Sequence, residues 1–271
     1  MVTAHFNVTY KTTMIGAVIG DISGSTYEFE ENKDSSVPLF PPHSSYTDDT
    51  VMTMATAHAI LTATSYRDAY LDFGRRYPYP MGQYGARFSL WLRQHNPQPY
   101  DSWGNGSAMR AGPIGWAFPS LELVLDEAKK SASVSHNHAE GIKGAQAVAT
   151  AVWLGRHHKT KDEIRAYVES EFGYNLHRTA DEIRGTYEFD ESCAGTVPEA
   201  LIAFFDSKDF EHAIRLAISL GGDADTLACI TGAVAEAHYR EIPDYMLQIV
   251  DRVLDPPLIK VLQEFRTRYD N

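Results

Sequence analysis

The sequence predicts an all-α fold. Apolar residues recur at helical spacing in segment after segment, alternating strand patterns are scarce, and Gly and Ala fall at helical intervals on faces where another helix can pack close. With 271 residues and 44% apolar content the chain can bury one large core, and no Pro/Ser/Gly-rich linker divides it. Residues 1–271 therefore read as a single domain, with 1–12 a polar, poorly ordered lead-in.

The elements follow in order. Gly16, Gly20 and Gly24 recur every four residues after Met14, a side-chain-free stripe on one helix face. An acidic segment, Ser25 to Glu31, and a Pro-containing loop from Asn32 to Tyr46 that can swing over a site come next. Val51 to Ala63 has the periodicity of a strong helix, in which His58 reads as a packed or solvated residue. Residues 67–77 and 82–95 read as two further helices around Pro78 and Pro80.

After the Gly-rich stretch Trp103 to Arg110, a long helix to about His157 opens on Ser135–Gly141, where Asn137 and Glu140 resemble a capping box. Residues 160–172 look like a surface helix, and 173–192 are irregular. That region ends in Thr186-Tyr187-Glu188-Phe189-Asp190-Glu191, which echoes Thr26-Tyr27-Glu28-Phe29-Glu30-Glu31. Thr196 and Glu199 form a capping box around Pro198 for an apolar helix to Phe205. A helix from Asp209 to Leu220 is stopped by Gly221-Gly222, and helices at 226–239, 244–254 and 257–269 close the chain.

Two stretches carry the chemistry. Gly221-Gly222-Asp223-Ala224-Asp225-Thr226 and Thr47-Asp48-Asp49-Thr50 each crowd two carboxylates and hydroxyls into a few residues at a helix start. Asp and Thr there are common caps, and either motif alone reads that way. Two matching motifs, one behind a Gly-Gly break, point instead to one shared centre for a hard cation, Mg²⁺, Mn²⁺ or Ca²⁺, because oxygen donors suit these and zinc favours His and Cys. Glu28, between Tyr27 and Phe29, is the better functional candidate of its acidic run.

The glycines of Gly104-Asn105-Gly106-Ser107 let backbone amides face an anion, with Asn105 and Ser107 adding donors, although an ordinary Asn-Gly turn looks the same. Trp103 is either core or a flat surface for a base. Of His136 and His138, one has a hydrogen-bonding role, and together they do not argue zinc.

A net charge of −12 argues against nucleic acid and anionic membranes as partners. Two cysteines, Cys193 and Cys229, make neither a disulfide framework nor a zinc set, so a reduced, cytoplasmic location is expected. The apolar run Met14–Gly20 is too short for a leader or a membrane span. A monomer is expected.

These motifs, with Gly20-Asp21 and Ser135-His136 and in this order, resemble the ADP-ribosylglycohydrolases over nearly the whole chain. The resemblance implies an all-helical fold and a pair of magnesium ions, with Mn²⁺ able to stand in, on Thr47, Asp48, Asp49, Asp223, Asp225 and Thr226. It puts a mobile acidic residue at Glu28, and ADP-ribose on Ser102, Trp103, Asn105, Gly106 and His136, with Trp103 where a Tyr in some members faces adenine. The implied reaction is hydrolysis at the anomeric carbon of the ribose distal to adenine, on an ADP-ribosylated protein or small molecule, with Glu28, Asp48 and Asp49 competing as the base.

The acidic surroundings favour a guanidinium leaving group, hence ADP-ribosylarginine, with ADP-ribosylserine or O-acetyl-ADP-ribose as alternatives. A pyrophosphate-cutting hydrolase and a non-catalytic ADP-ribose binder or inhibitor are the rival readings.

Overall fold

The computed structural model describes residues 13–270, so the predicted lead-in lies outside the described residues. The expected all-α class is found: among the described residues the only β-type pairings are isolated bridges, Thr47 with Met81 and Gly104 with Ser192. The helices are α1 (Ile15–Gly24), α2 (Asp48–Thr62), α3 (Tyr66–Arg76), α4 (Ala86–Arg93), α5 (Gly112–Ala117), α6 (Leu121–Ser133) and α7 (Ala139–Arg156), then α8 (Lys161–Phe172), α9 (Ala180–Arg184), α10 (Cys193–Asp206), α11 (Phe210–Ser219), α12 (Ala224–Tyr239), α13 (Asp244–Val253) and α14 (Pro256–Tyr269). A 3₁₀ turn, Asn105–Ser107, precedes α5. No described helix is long and apolar enough to cross a membrane.

The centre of the molecule is the pair α1 and α12. Every residue of α1 is buried, and so is α12 from Ala224 to Ala237. The glycine stripe makes this possible: a β-carbon on Gly16 would meet the Gly232 carbonyl, one on Gly20 the Ala228 carbonyl, and one on Gly24 the Ala224 carbonyl. Ascending numbers on α1 meet descending numbers on α12, so the helices run antiparallel with their backbones in contact. The C-terminus of α1 therefore abuts the N-terminus of α12.

α7, α10 and α11 pack around α12, and α2 joins α1 at its C-terminal end. α12 starts where it does because Gly221 and Gly222 take φ of +73° and +69°, a left-handed turn that ends α11 and aims the chain back into the core. A helix starting in a dry core needs partners for its first amides. For α1 they come from Glu236 in α12, whose Oε1 and Oε2 accept from Ile15 N and Gly16 N at 3.2 and 2.8 Å. Burial pushes the Glu236 carboxyl up to about 7 against these hydrogen bonds.

Several sequence expectations shift. The N-cap of α7 is His138, whose ring accepts from Glu140 N, while Asn137 accepts from Asp101 N. α10 begins at Cys193 under a Ser192 cap, which leaves Thr196 and Pro198 inside the helix; Thr196 donates to Asp190 O and Glu199 pairs with Arg178. The loop 32–46 is pinned rather than free to swing: Lys33 donates to Tyr187 O and Leu220 O, Arg215 to Ser35 O and Val37 O, and Tyr27 to Pro38 O. α5 and α6 fill 112–133, a stretch with no predicted element. His58 packs against Phe73, as one of its two readings has it.

Two outcomes test this packing. Gly20→Ala should lower unfolding free energy by at least about 2–3 kcal/mol in denaturant melts, because the clash is with backbone that cannot turn aside. Glu236 is the second case: its folded pKa, about 7, lies above the ordinary 4.5, so its neutral form is favoured on folding. That stability is complete below about pH 4.5 and is lost as pH rises to about 7, up to about 3 kcal/mol in all. Glu236→Gln should flatten the stability–pH curve across that window relative to wild type.

Candidate functional site

The antiparallel pair delivers carboxylates to one place. Glu28, four residues past Gly24, comes beside Asp223 and Asp225 at the start of α12, and α2 brings Asp48 and Asp49. α2 is held there by Asp21 of α1, fully buried, whose carboxylate accepts from Thr47 N, Thr47 Oγ1 and Thr50 N at 3.0, 2.7 and 3.0 Å. Thr226 donates to Asp49 Oδ1 at 3.3 Å, linking α12 to α2.

Glu28, Asp48, Asp49, Asp223, Asp225 and Thr226 line one end of a single cleft, and Ser102, Trp103, Asn105, Gly106 and His136 line the rest of it. Two predicted site residues lie off it. Ser107 is fully buried and donates to Gly141 O at 2.7 Å, so it braces the turn against α7 instead of facing a ligand. Thr47 caps α2, accepting from Asp49 N and donating to Asp21. Trp103 is 44% exposed, which settles its reading against core.

The acidic end is electrostatically loaded. Among the described residues none of its five carboxylates has an ion-pair partner within the salt-bridge distance of 4.0 Å. Withdrawal from water holds Asp48, Asp49 and Asp225 well above the ordinary carboxylate range, and their acidic neighbours add to it: Asp21 and then Glu28 for Asp48, Asp21 and then Asp48 for Asp49, Asp223 and then Asp49 for Asp225. Glu28 is pushed up to about 7, by burial and then by Asp223 and Asp21. Among the described residues no three carboxylate, His or Cys side chains converge as ligands of one ion. What fits a hard divalent cation is the donor set, all oxygen, with Asp49 Oδ2 buried and without a hydrogen-bond partner.

Where the two parts of the cleft meet, Asn105 Nδ2 donates to Asp223 Oδ2 at 2.6 Å and to Thr196 Oγ1 at 3.0 Å, so it fixes a carboxylate as well as lining the cleft. His136 is buried, and burial followed by Arg110 and Arg87 pushes its pKa well below the usual histidine range, so the ring is neutral. Arg110 donates to Ser135 Oγ at 2.9 Å, and the same hydroxyl shares a hydrogen bond with His136 Nδ1 at 2.8 Å, which fixes the ring. Its Nε2 faces Gly104 and Gly106. A fixed, neutral imidazole of this kind suits an oxygen-rich ligand.

Sequence reasoning missed part of the cleft and of its support. Asp21 stood in the Gly20-Asp21 motif with no role assigned to it, and it lies buried behind the cleft, holding α2. Phe189 and Glu191 line the cleft, and their signal was the echo of 26–31 at 186–191. Asn105→Asp would set a new carboxylate against Asp223. Stability at pH 7–8 should fall by on the order of 1–3 kcal/mol against wild type, and the difference should close as acid protonates the pair, read by chemical denaturation at several pH values.

The model of the family described as ADP-ribosylglycohydrolase matches residues 7–271. The chain is 28% identical to ADP-ribosylhydrolase ARH3 of Danio rerio, over 85% of this chain and 82% of that one. It is also 28% identical to ADP-ribosylarginine hydrolase Tri1 of Pseudomonas putida strain GB-1, over 84% and 70%. A solved chain titled "ADP-ribosylglycohydrolase-related protein complex" superposes with a TM-score of 0.72 over 94% of this chain and 96% of that one at 24% identity, a likeness of fold. With a whole-chain family match laid over a cleft that gathers the family's motifs, the chain belongs to the ADP-ribosylglycohydrolases and is a hydrolase of that family.

Proposed function

We propose that this hydrolase removes ADP-ribose from arginine side chains, cutting the bond at the anomeric carbon of the distal ribose with two magnesium ions held by the acidic end of the cleft. The observation that carries the reading is five carboxylates from three separate stretches, with no cationic side chain among the described residues to neutralise them, at one end of a cleft whose other end has the groups for a nucleotide. Uncompensated, such crowding is costly.

Asp48, Asp49, Asp223, Asp225 and Thr226 would hold the ions, with Thr47 at their edge. Divalent cations there would grip ribose hydroxyls and activate water. Trp103 offers an exposed indole face to adenine. His136, as its Nε2–H tautomer, and the Gly106 amide offer donors to phosphate or ribose oxygens, while the Gly104 and Asn105 amides are taken by Ser102 Oγ and Glu191 O. Asn105 keeps one oxygen of Asp223 engaged and its carboxylate oriented. Glu28 comes from the segment after α1, apart from the ion-holding helix starts, and is placed to take the proton of the attacking water. The cationic charge that develops on the ribose is met by the surrounding carboxylates.

For the linkage, Glu191 is exposed and lines the cleft, with Glu30, Glu31 and Glu188 exposed on the same two segments; such carboxylates accept a guanidinium bidentately and offer nothing to a serine hydroxyl or an acetyl ester. The likeness to Tri1, an ADP-ribosylarginine hydrolase, supports this.

Incubation with Mg²⁺ and arginine-linked, serine-linked or acetylated ADP-ribose, followed by quantitation of free ADP-ribose, tests the reading. Release should be fastest from arginine and abolished by chelation. Full activity in excess EDTA overturns the metal assignment, faster release from serine or the ester overturns the linkage, and AMP as product overturns the reaction. Mg²⁺ at about 100 times its Kd should raise unfolding free energy by about 2.7 kcal/mol, and Asp223→Asn should reduce that gain.

A further inference from the structure

The echo between Thr26-Tyr27-Glu28-Phe29-Glu30-Glu31 and Thr186-Tyr187-Glu188-Phe189-Asp190-Glu191 is a contact in three dimensions. Phe29 and Phe189 stack on each other with ring centroids 6.3 Å apart and planes 20° off parallel, although the rings are 76% and 48% exposed. Large apolar side chains left paired in water beside a cleft mark a place where something else docks.

Their position is fixed from beneath. A β-carbon on Gly222 would meet Tyr187 Cε1 at 3.0 Å and Phe189 Cα at 3.2 Å, so the second segment lies directly on the turn that precedes Asp223. Lys33 joins both segments to that turn, donating to Tyr187 O and Leu220 O at 2.6 Å each. From the other side, Asn105 N donates to Glu191 O at 2.8 Å and Cys193 N to Trp103 O at 2.9 Å. Phe189 and Glu191 thus line the cleft on a braced wall that runs from the Gly221-Gly222 turn, beside Asp223, to the Gly104-Asn105 turn.

With a nucleotide seated along Trp103 and His136, the part of the substrate that projects past the distal ribose is the group to which it is attached. Building on the reading above, we propose that Phe189, backed by Phe29, and Glu191 form the subsite for that leaving group and select a guanidinium. A planar cation stacks on the face of an aromatic ring while its N–H fork pairs with a carboxylate, and a serine or acetyl group can do neither. Glu191 is exposed and, among the described residues, has no ion-pair partner within 4.0 Å. Lys33, beside this wall, is engaged with the two carbonyls, and Arg87, which also lines the cleft, with the ring and carbonyl of Tyr100.

The test measures kcat/KM of the Mg²⁺-loaded protein on arginine-linked and serine-linked ADP-ribose, for wild type, Phe189→Ala, Phe189→Tyr and Glu191→Gln. The arginine-to-serine ratio should fall about tenfold in Phe189→Ala and severalfold in Glu191→Gln, mainly through KM, and stay near wild type in Phe189→Tyr, which keeps the ring face. A wild-type preference for arginine that survives in both Phe189→Ala and Glu191→Gln overturns this assignment and leaves the proposed function standing, and so does an equal loss on the two substrates. A wild-type preference for serine overturns the linkage reading and takes the subsite with it.

Discussion

Backbone-to-backbone contact between α1 and α12 is the constraint on which the rest of the molecule depends. Three glycines on one helix and Ala224, Ala228 and Gly232 on the other remove every side chain that would hold the axes apart. The antiparallel sense then leaves no choice about what meets what: the end of α1 must lie against the start of α12. Packing in the core and chemistry at its end are one geometric fact, since sliding the helices by a turn would part Glu28 from Asp223 as surely as it would open the core.

Buried carboxylates serve two purposes here. Glu236 and Asp21 each reach across to the amide end of another helix, so their oxygens accept from N–H groups that would otherwise be orphaned in a dry interior. Asp48, Asp49, Asp223 and Asp225 have too few such donors for their number. The same residue type is a structural tie in one case and an unbalanced charge in the other, and the difference lies in the count of donors each can reach.

Much of this was legible in the sequence, for reasons that are local. The every-fourth glycine stripe needs a partner backbone, Gly-Gly before Asp needs a left-handed turn, and the two Asp-rich stretches read as helix starts; each is a short-range pattern and each was found in place. α6 escaped because its buried face is Val124, Ala128 and Ala132, too small to stand out. The caps of α7 and α10 were misplaced because several Ser, Thr, Asn and His residues in a row can all cap, and long-range partners decide among them. Ser107 was read as a donor to ligand because its true acceptor, Gly141 O, lies on a helix 34 residues on. Asp21 and Asn105 serve partners 26 to 118 residues away, and no window of sequence contains both members of such a pair.

The joining of α1 to α12 also governs how the molecule comes into being. Residues 16–24 lie against residues 224–232, and Thr226 reaches Asp49 across 177 positions, so the two halves of the acidic cluster belong to opposite ends of the chain. Closing a loop of that length precedes any gain from the contacts it brings, which slows the search. A ribosome-bound nascent chain holding the first 220 residues already carries Glu28, Asp48 and Asp49 yet lacks Asp223, Asp225 and Thr226. The acidic cluster is thus completed only once the start of α12 is made, so the cleft cannot be whole before that segment reaches α1 and α2.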